Sequence, residues 1–281
     1  MGRNVGGGSR ATDSTGELFV GIDLAIAKHK RLPVAVCEAD CGAMHFLSLR
    51  KDFVAPPSGI GNAAALNKAR RAEFVAAIVA WLAEVETAQK RSIGCVAIDA
   101  PSSPCHENRQ RRLAEIDLGR SGLSCFATPT RAQCESIVSE AKKHLEAGGS
   151  EARIPHANKI WMLVGFDLFE AISARWQCIE VYPQAIVHWI GANAEHKSKA
   201  TGFAAQCTAF ARAIGMSEEA LKLNLHAACY GARHDCLDAM MSAWIASLPA
   251  SDRKAYGNGT DDAIWVPGER FKVQSMLAVM P

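Results

Sequence analysis

The stretch Leu18-Phe19-Val20-Gly21-Ile22-Asp23-Leu24-Ala25-Ile26 sets a carboxylate inside an apolar run that reads as a buried strand of β-branched and aliphatic residues. An acid there is not hydrated as it would be on a surface, so Asp23 requires a counter-charge, a hydrogen-bond cage or a metal. Two other stretches offer to complete its surroundings. Ile98-Asp99-Ala100-Pro101 ends a second apolar run, and Asp235-Cys236-Leu237-Asp238 opens a helix. Acids gathered together repel one another unless a cation holds them.

Outward from this strand the chain alternates between two periods. The first strand is expected over 17–28, followed by strands at 32–38 and 44–50 joined through Ala39-Asp40-Cys41-Gly42, which has hairpin chemistry. Three strands joined by short turns predict an antiparallel meander. Phe74, Ile78, Trp81, Leu82 and Val85 recur at helical spacing and predict a helix over 67–87. Ile93–Asp99 is then a strand, ended by Pro101 and Pro104. Strand, helix and strand make a βαβ unit, so the sheet continues in parallel.

Further on, a basic helix carrying Arg109, Arg111 and Arg112 is expected over 108–119, and helices over 132–147 and 157–176. A buried strand at 178–182 stops at Pro183, and helices follow at 186–190, 202–214, 217–223 and 233–248, with a late strand or extended edge at 263–266. With no internal repeat and no linker after residue 16, the reading is a disordered leader over 1–15 and a single mixed α/β domain over 16–281, flanked by helices.

At 281 residues and 49% hydrophobic content the chain can bury a substantial core, and no segment approaches the ~20 apolar residues of a membrane helix. A net charge of +2 neither demands nor excludes a polyanion partner, so any such site is a local patch. The ten cysteines are scattered, several in apolar context, and the first fifteen residues lack the apolar core of a signal peptide. Both features point to reduced thiols in a cytoplasmic protein.

Helical geometry sharpens the last acidic stretch. At about 100° per residue, Leu237, Met241, Trp244, Ile245 and Leu248 form one core-facing stripe, with Asp238 at its edge and Asp235 beside it toward solvent. Asp235 also suits a helix N-terminus, where a carboxylate favours the dipole. Asp99 enters a loop at a strand end, where parallel sheets carry chemistry. Glu180, on the face of Cys178 and Tyr182, reads as an acid that holds an Arg or Lys beside the site, or as a further ligand. Carboxylates converging from two strands and a helix are the hard oxygen donors that Mg²⁺ or Mn²⁺ selects, and two such ions about 4 Å apart cleave phosphodiesters.

The order of these motifs resembles the ribonuclease H-like superfamily, with a late helix similar to that of the RuvC resolvases. In detail it resembles the domain of unknown function family 429, a set of predicted nucleases. The resemblance is carried by Gly21-Ile22-Asp23, Ile98-Asp99-Ala100-Pro101, Asn108-Arg109, Glu180-Val181-Tyr182-Pro183, His196-Lys197 with Gly202, Asp235-x-x-Asp238-Ala239 and Ile264-Trp265-Val266-Pro267. It implies a ribonuclease H-like mixed sheet and a nuclease acting on DNA or RNA. Asp23, Asp99 and Asp238 would be metal ligands, Asp235 a fourth, and Arg109 and Lys197 groups that contact phosphate or support the acids. One departure is that Glu73 and Glu84 flank an ordinary amphipathic helix, without the first-helix glutamate of ribonuclease H itself.

Other patterns carry less. Lys28-His29-Lys30-Arg31 and the arginines 109–112 form either a phosphate-tracking rim or solvated faces. Trp81, Trp161 and Trp244 fit helical core stripes, leaving few aromatics for base stacking. His226, Cys229, His234 and Cys236 match no structural zinc spacing, and there is no glycine-rich phosphate loop. Two other functions fit the same fold: a nucleotide- or phosphometabolite-binding protein, and a catalytically inactive interaction module whose protein partner or self-association the sequence does not identify.

Overall fold

The computed structural model describes residues 16–40, 43–192, 195, 197–258 and 262–272; the leader expected at 1–15 lies outside them. In chain order the elements are β1 Leu18–Asp23, β2 Val34–Asp40, β3 Ala43–Phe46, α1 Leu49–Asp52, α2 Gly61–Ala65, α3 Lys68–Gln89, β4 Ile93–Asp99, α4 Leu113–Arg120, α5 Arg131–Glu146 and α6 Ala157–Ser173. They continue with β5 Gln177–Glu180, α7 Pro183–Trp189, α8 Ala200–Ala213, α9 Glu218–Ala227, α10 Arg233–Ser247, β6 Arg253–Asn258 and β7 Asp262–Pro267. No helix of the described residues is long and apolar enough to cross a membrane.

Five strands form one open mixed sheet in the order β3-β2-β1-β4-β5. β1 pairs antiparallel with β2, and β2 with β3, whereas β4 lies parallel to both β1 and β5. The meander and the parallel continuation are thus both present. Alternation along β1 divides the core in two. Leu18, Val20 and Ile22 belong to the layer with Phe74, Ile78 and Leu82 of α3 and Ile160, Val164 and Leu168 of α6. Ala35, Cys37, Cys95 and Ala97 belong to the opposite layer, which α10 shares with α7, α8 and α9.

Several boundaries shift for local reasons. β1 ends at Asp23, not near residue 28, because the Ala25 amide turns back to donate to the Asp23 carbonyl at 2.8 Å. β3 stops at Phe46, and the last residues of the expected strand wind into α1. The basic helix expected from residue 108 begins only at Leu113, since Arg112 is extended (φ −68°, ψ 155°). The strand expected at 178–182 is β5 and stops at Glu180, whereas Pro183 opens α7 as its first residue, where a missing N–H costs nothing. The late strand β7 does not join the main sheet edge as a ladder. It pairs antiparallel with β6, a strand the sequence pattern hid, and touches the sheet through a single Val181–Trp265 bridge.

The largest departure concerns α10, which was expected to show one buried stripe. Every residue from Cys236 to Ala246 is buried, because the sheet covers one side of the helix and the outer helices the other. Its approach to the sheet is set by Gly21. A Cβ there would collide with the Ala239 carbonyl oxygen and the Ala243 amide nitrogen, so backbone seats directly on backbone. Gly21→Ala must therefore push α10 off β1, at an expected cost of about 1–3 kcal/mol. Denaturant midpoints of the variant and the parent measure it, and an unchanged midpoint would refute the close seating.

Candidate metal centre

Parallel pairing brings Asp23 and Asp99 into register at the C-terminal ends of neighbouring strands. Seating α10 over Gly21 delivers the first two turns of that helix to the same place. Ligand oxygens of Asp23, Asp235 and Asp238 lie within 4.8 Å of one another. Asp238 is 1% exposed, while Asp23, Asp99 and Asp235 are partly open to solvent.

The charges in this cluster are poorly balanced. Burial, then the charges of Asp238, Asp99 and Asp235, raise the Asp23 carboxyl well above its ordinary value. Burial lifts Asp99 to about 8, helped by Asp238 and Glu180 and opposed by Lys197. Asp238 is also raised by burial, but Lys197 works against the shift because its ammonium donates to the Asp238 carboxylate. Burial disfavours the charge on Lys197, yet Asp238, Asp23 and Asp99 together hold the ammonium above its usual range. His234 Nε2 lies 3.1 Å from Asp235 Oδ1. Among the described residues Asp23 and Asp99 form no ion pair, so the donor set is all oxygen and short of positive charge. Such a set could hold a divalent cation. His196, paired in sequence with Lys197, lies outside the described residues.

Glu180 sits one step away from the acids. It is 5% exposed and receives Arg112 in a fork, Nη1 to Oε2 at 2.8 Å and Nη2 to Oε1 at 2.5 Å. The Arg112 Nε also meets Glu115 Oε1 at 3.2 Å, and the Ser102 amide donates to Glu180 Oε2 at 2.8 Å. The loop leaving Asp99 is thereby tied to β5. Arg112 is only 4% exposed, so it cannot belong to an open basic rim as the sequence allowed. Arg109 does not join the acids either. It is half exposed, and its Nη1 lies 3.9 Å from Asp262 at the start of β7. Proximity in sequence to Arg112 is no guide here, because the chain turns between residues 106 and 109 before α4 begins.

Residues 21–258 match the family described as protein of unknown function (DUF429). The chain belongs to the DUF429 family. No curated protein and no solved structure matches it. The DUF429 span opens two residues before Asp23 and contains Asp99, Glu180, Lys197, Asp235 and Asp238, but not Asp262 or the rest of β7. Within this DUF429 fold, sequence reasoning passed over Arg112 as an internal cation and His234 as a neighbour of Asp235. It also passed over Phe126, 58% exposed in the loop between α4 and α5. A lone phenylalanine in a loop has no periodicity to mark it, whereas the acids around Arg112 gave a usable signal: a buried glutamate must find a cation.

Proposed function

We propose that the protein is a metal-dependent nuclease on a ribonuclease H-like fold, hydrolysing phosphodiester bonds of DNA or RNA. The observation that carries this reading is the convergence of Asp23, Asp235 and Asp238, with Asp99 in register beside Asp23 and Lys197 as the cation inside the group. The mixed sheet, with acids at the ends of its two central strands and on the helix crossing them, supports the same fold assignment. Hard oxygen donors favour Mg²⁺ or Mn²⁺, with room in the donor count for two ions.

Ions held by Asp23, Asp99, Asp235 and Asp238 would supply Lewis-acid charge for the phosphate and a more acidic water. Asp23, on which the charges of Asp238, Asp99 and Asp235 all act, would be the central ligand, with Asp99, Asp238 and Asp235 as its co-ligands. Lys197 orients Asp238 and keeps an ammonium at the rim for a non-bridging phosphate oxygen. Glu180, neutralised by Arg112, fixes the loop after Asp99 through the Ser102 amide and so holds that carboxylate in place.

The test is cleavage of end-labelled single-stranded, duplex and branched DNA and RNA with Mg²⁺ or Mn²⁺. Wild-type protein should cleave at least one class, and Asp23→Ala and Asp99→Ala should not. Activity surviving both substitutions refutes the assignment. Tight binding of mononucleotides without cleavage favours a nucleotide-binding protein, and absence of any metal effect together with a stable co-purifying protein favours an interaction module.

A further inference from the structure

Asp99 borders a second feature besides the acidic cluster. A cavity of about 210 Å³ opens beside it, walled by Phe126, Trp161, Met162, Tyr182 and Ile264. Its lining is mostly apolar. Arg112, Glu115 and Glu180 reach the cavity, but their charges are consumed in the Arg112 fork and its Glu115 contact, so they offer no open cationic site for an anion. Two of the rings are held in fixed orientations. The Tyr182 hydroxyl donates to the Ser124 carbonyl at 2.9 Å, and the Trp161 Nε1–H donates to the Asn158 carbonyl at 2.9 Å. The third ring, Phe126, lies exposed on the loop between α4 and α5 at the edge of the cavity. Tyr182 also lies near enough to Asp99, Lys197 and Asp238 that, after burial, their charges act on its hydroxyl. The aromatic wall and the acidic cluster are therefore contiguous.

A mostly apolar, aromatic-walled cavity smaller than the roughly 300–1,000 Å³ of whole-ligand pockets suits one flat ring system. We propose that this pocket receives one unstacked nucleobase of the substrate, adjacent to the phosphate held at the acids, so that the strand must be unpaired where it is cut. The proposal rests on the nuclease reading. It names the substrate class as single-stranded nucleic acid or an unpaired segment of a folded one, because a paired base would have to leave its stack to enter.

The experiment is an anisotropy titration of the full chain, in Ca²⁺, against a labelled thymidine oligonucleotide and an abasic deoxyribose-phosphate oligomer of equal length. The thymidine strand should bind about tenfold more tightly. Phe126→Ala should remove most of that advantage while leaving abasic binding unchanged, and Phe126→Trp should restore it. Because Phe126 is exposed, an unchanged melting temperature in Phe126→Ala verifies that the fold is intact. Equal binding of both oligomers, or an advantage that survives Phe126→Ala, overturns the proposal. Base discrimination without cleavage in Mg²⁺ or Mn²⁺ would sink the nuclease reading and leave the base pocket standing. Cleavage of base-containing and abasic strands alike, with no discrimination in binding, would do the reverse.

Discussion

Asp23→Asn is expected to abolish cleavage and, in the same step, the stabilisation of the fold by Mn²⁺. For the parent chain, metal at about a hundred times its dissociation constant should contribute about 2.7 kcal/mol, a rise of roughly 5–10 °C in melting temperature. The effect should depend on pH in a definite direction. Without metal, the folded state keeps a proton on Asp99 up to about pH 8, whereas the unfolded chain releases it near 3.8. The native state thus binds more protons across that window, and stability should fall as pH rises through it. A bound cation takes the place of the proton, so the Mn²⁺ rise should grow over the same range. Asp23→Asn removes one of the repelling acids and should match or exceed the parent in melting temperature at pH 8 without metal, then fall below it when Mn²⁺ is added. Differential scanning fluorimetry across pH, with and without Mn²⁺, reads both effects; a full Mn²⁺ shift in Asp23→Asn would end the metal-site assignment.

Arg112→Ala should be the most damaging change to stability outside the acidic cluster. The guanidinium is 4% exposed and holds Glu180 and Glu115, which are 5% and 2% exposed. Its loss leaves two buried carboxylates without their cation, a cost of about 3–5 kcal/mol, or about 10 °C of melting temperature for a chain of this size. Arg112→Lys should recover only part, because an ammonium cannot reproduce the planar fork onto Glu180. Glu180 already acts on Asp99 through space, so an unmasked Glu180 should also raise the pH at which Mn²⁺ begins to stabilise the variant. A drop in melting temperature below about 2 °C on Arg112→Ala would show that the fork contributes little.

The sheet was readable where one force dominated. Ile93–Asp99 is a continuous apolar run between polar flanks, and it is a strand with those bounds. Asn67 marks the start of α3 because its side chain accepts from the amides of Ala69 and Arg70, a short-range preference visible in any sequence. β6 was invisible because only Tyr256 of its residues is buried, so no alternation shows. The all-round burial of α10 was equally hidden. Periodicity reports one packed face, and here two layers close on the helix. At the site, the acids themselves could be picked out, since a buried carboxylate is conspicuous. Their meeting depends on the β1–β4 register and on the absence of a side chain at Gly21, both of which are tertiary facts. Arg112 and Arg109 look alike in sequence, and only the turn before α4 sends one inward to Glu180 and leaves the other at the surface beside Asp262.

Asp262 carries a practical lesson about where this protein can be cut. Its carboxylate accepts from the Leu113 amide at 2.5 Å and the Ala114 amide at 3.3 Å, pinning the start of the helix that follows Arg112. That residue lies just downstream of the family-matched stretch, which closes at Asn258. An expression clone trimmed to the matched boundaries would strip β6 of its mate, unclip α4 from behind the guanidinium and remove Leu18–Val20 from the central strand β1. The family boundaries and the mechanical ones differ here by β7 and by the first half of β1, and the shorter version is the wrong one to purify.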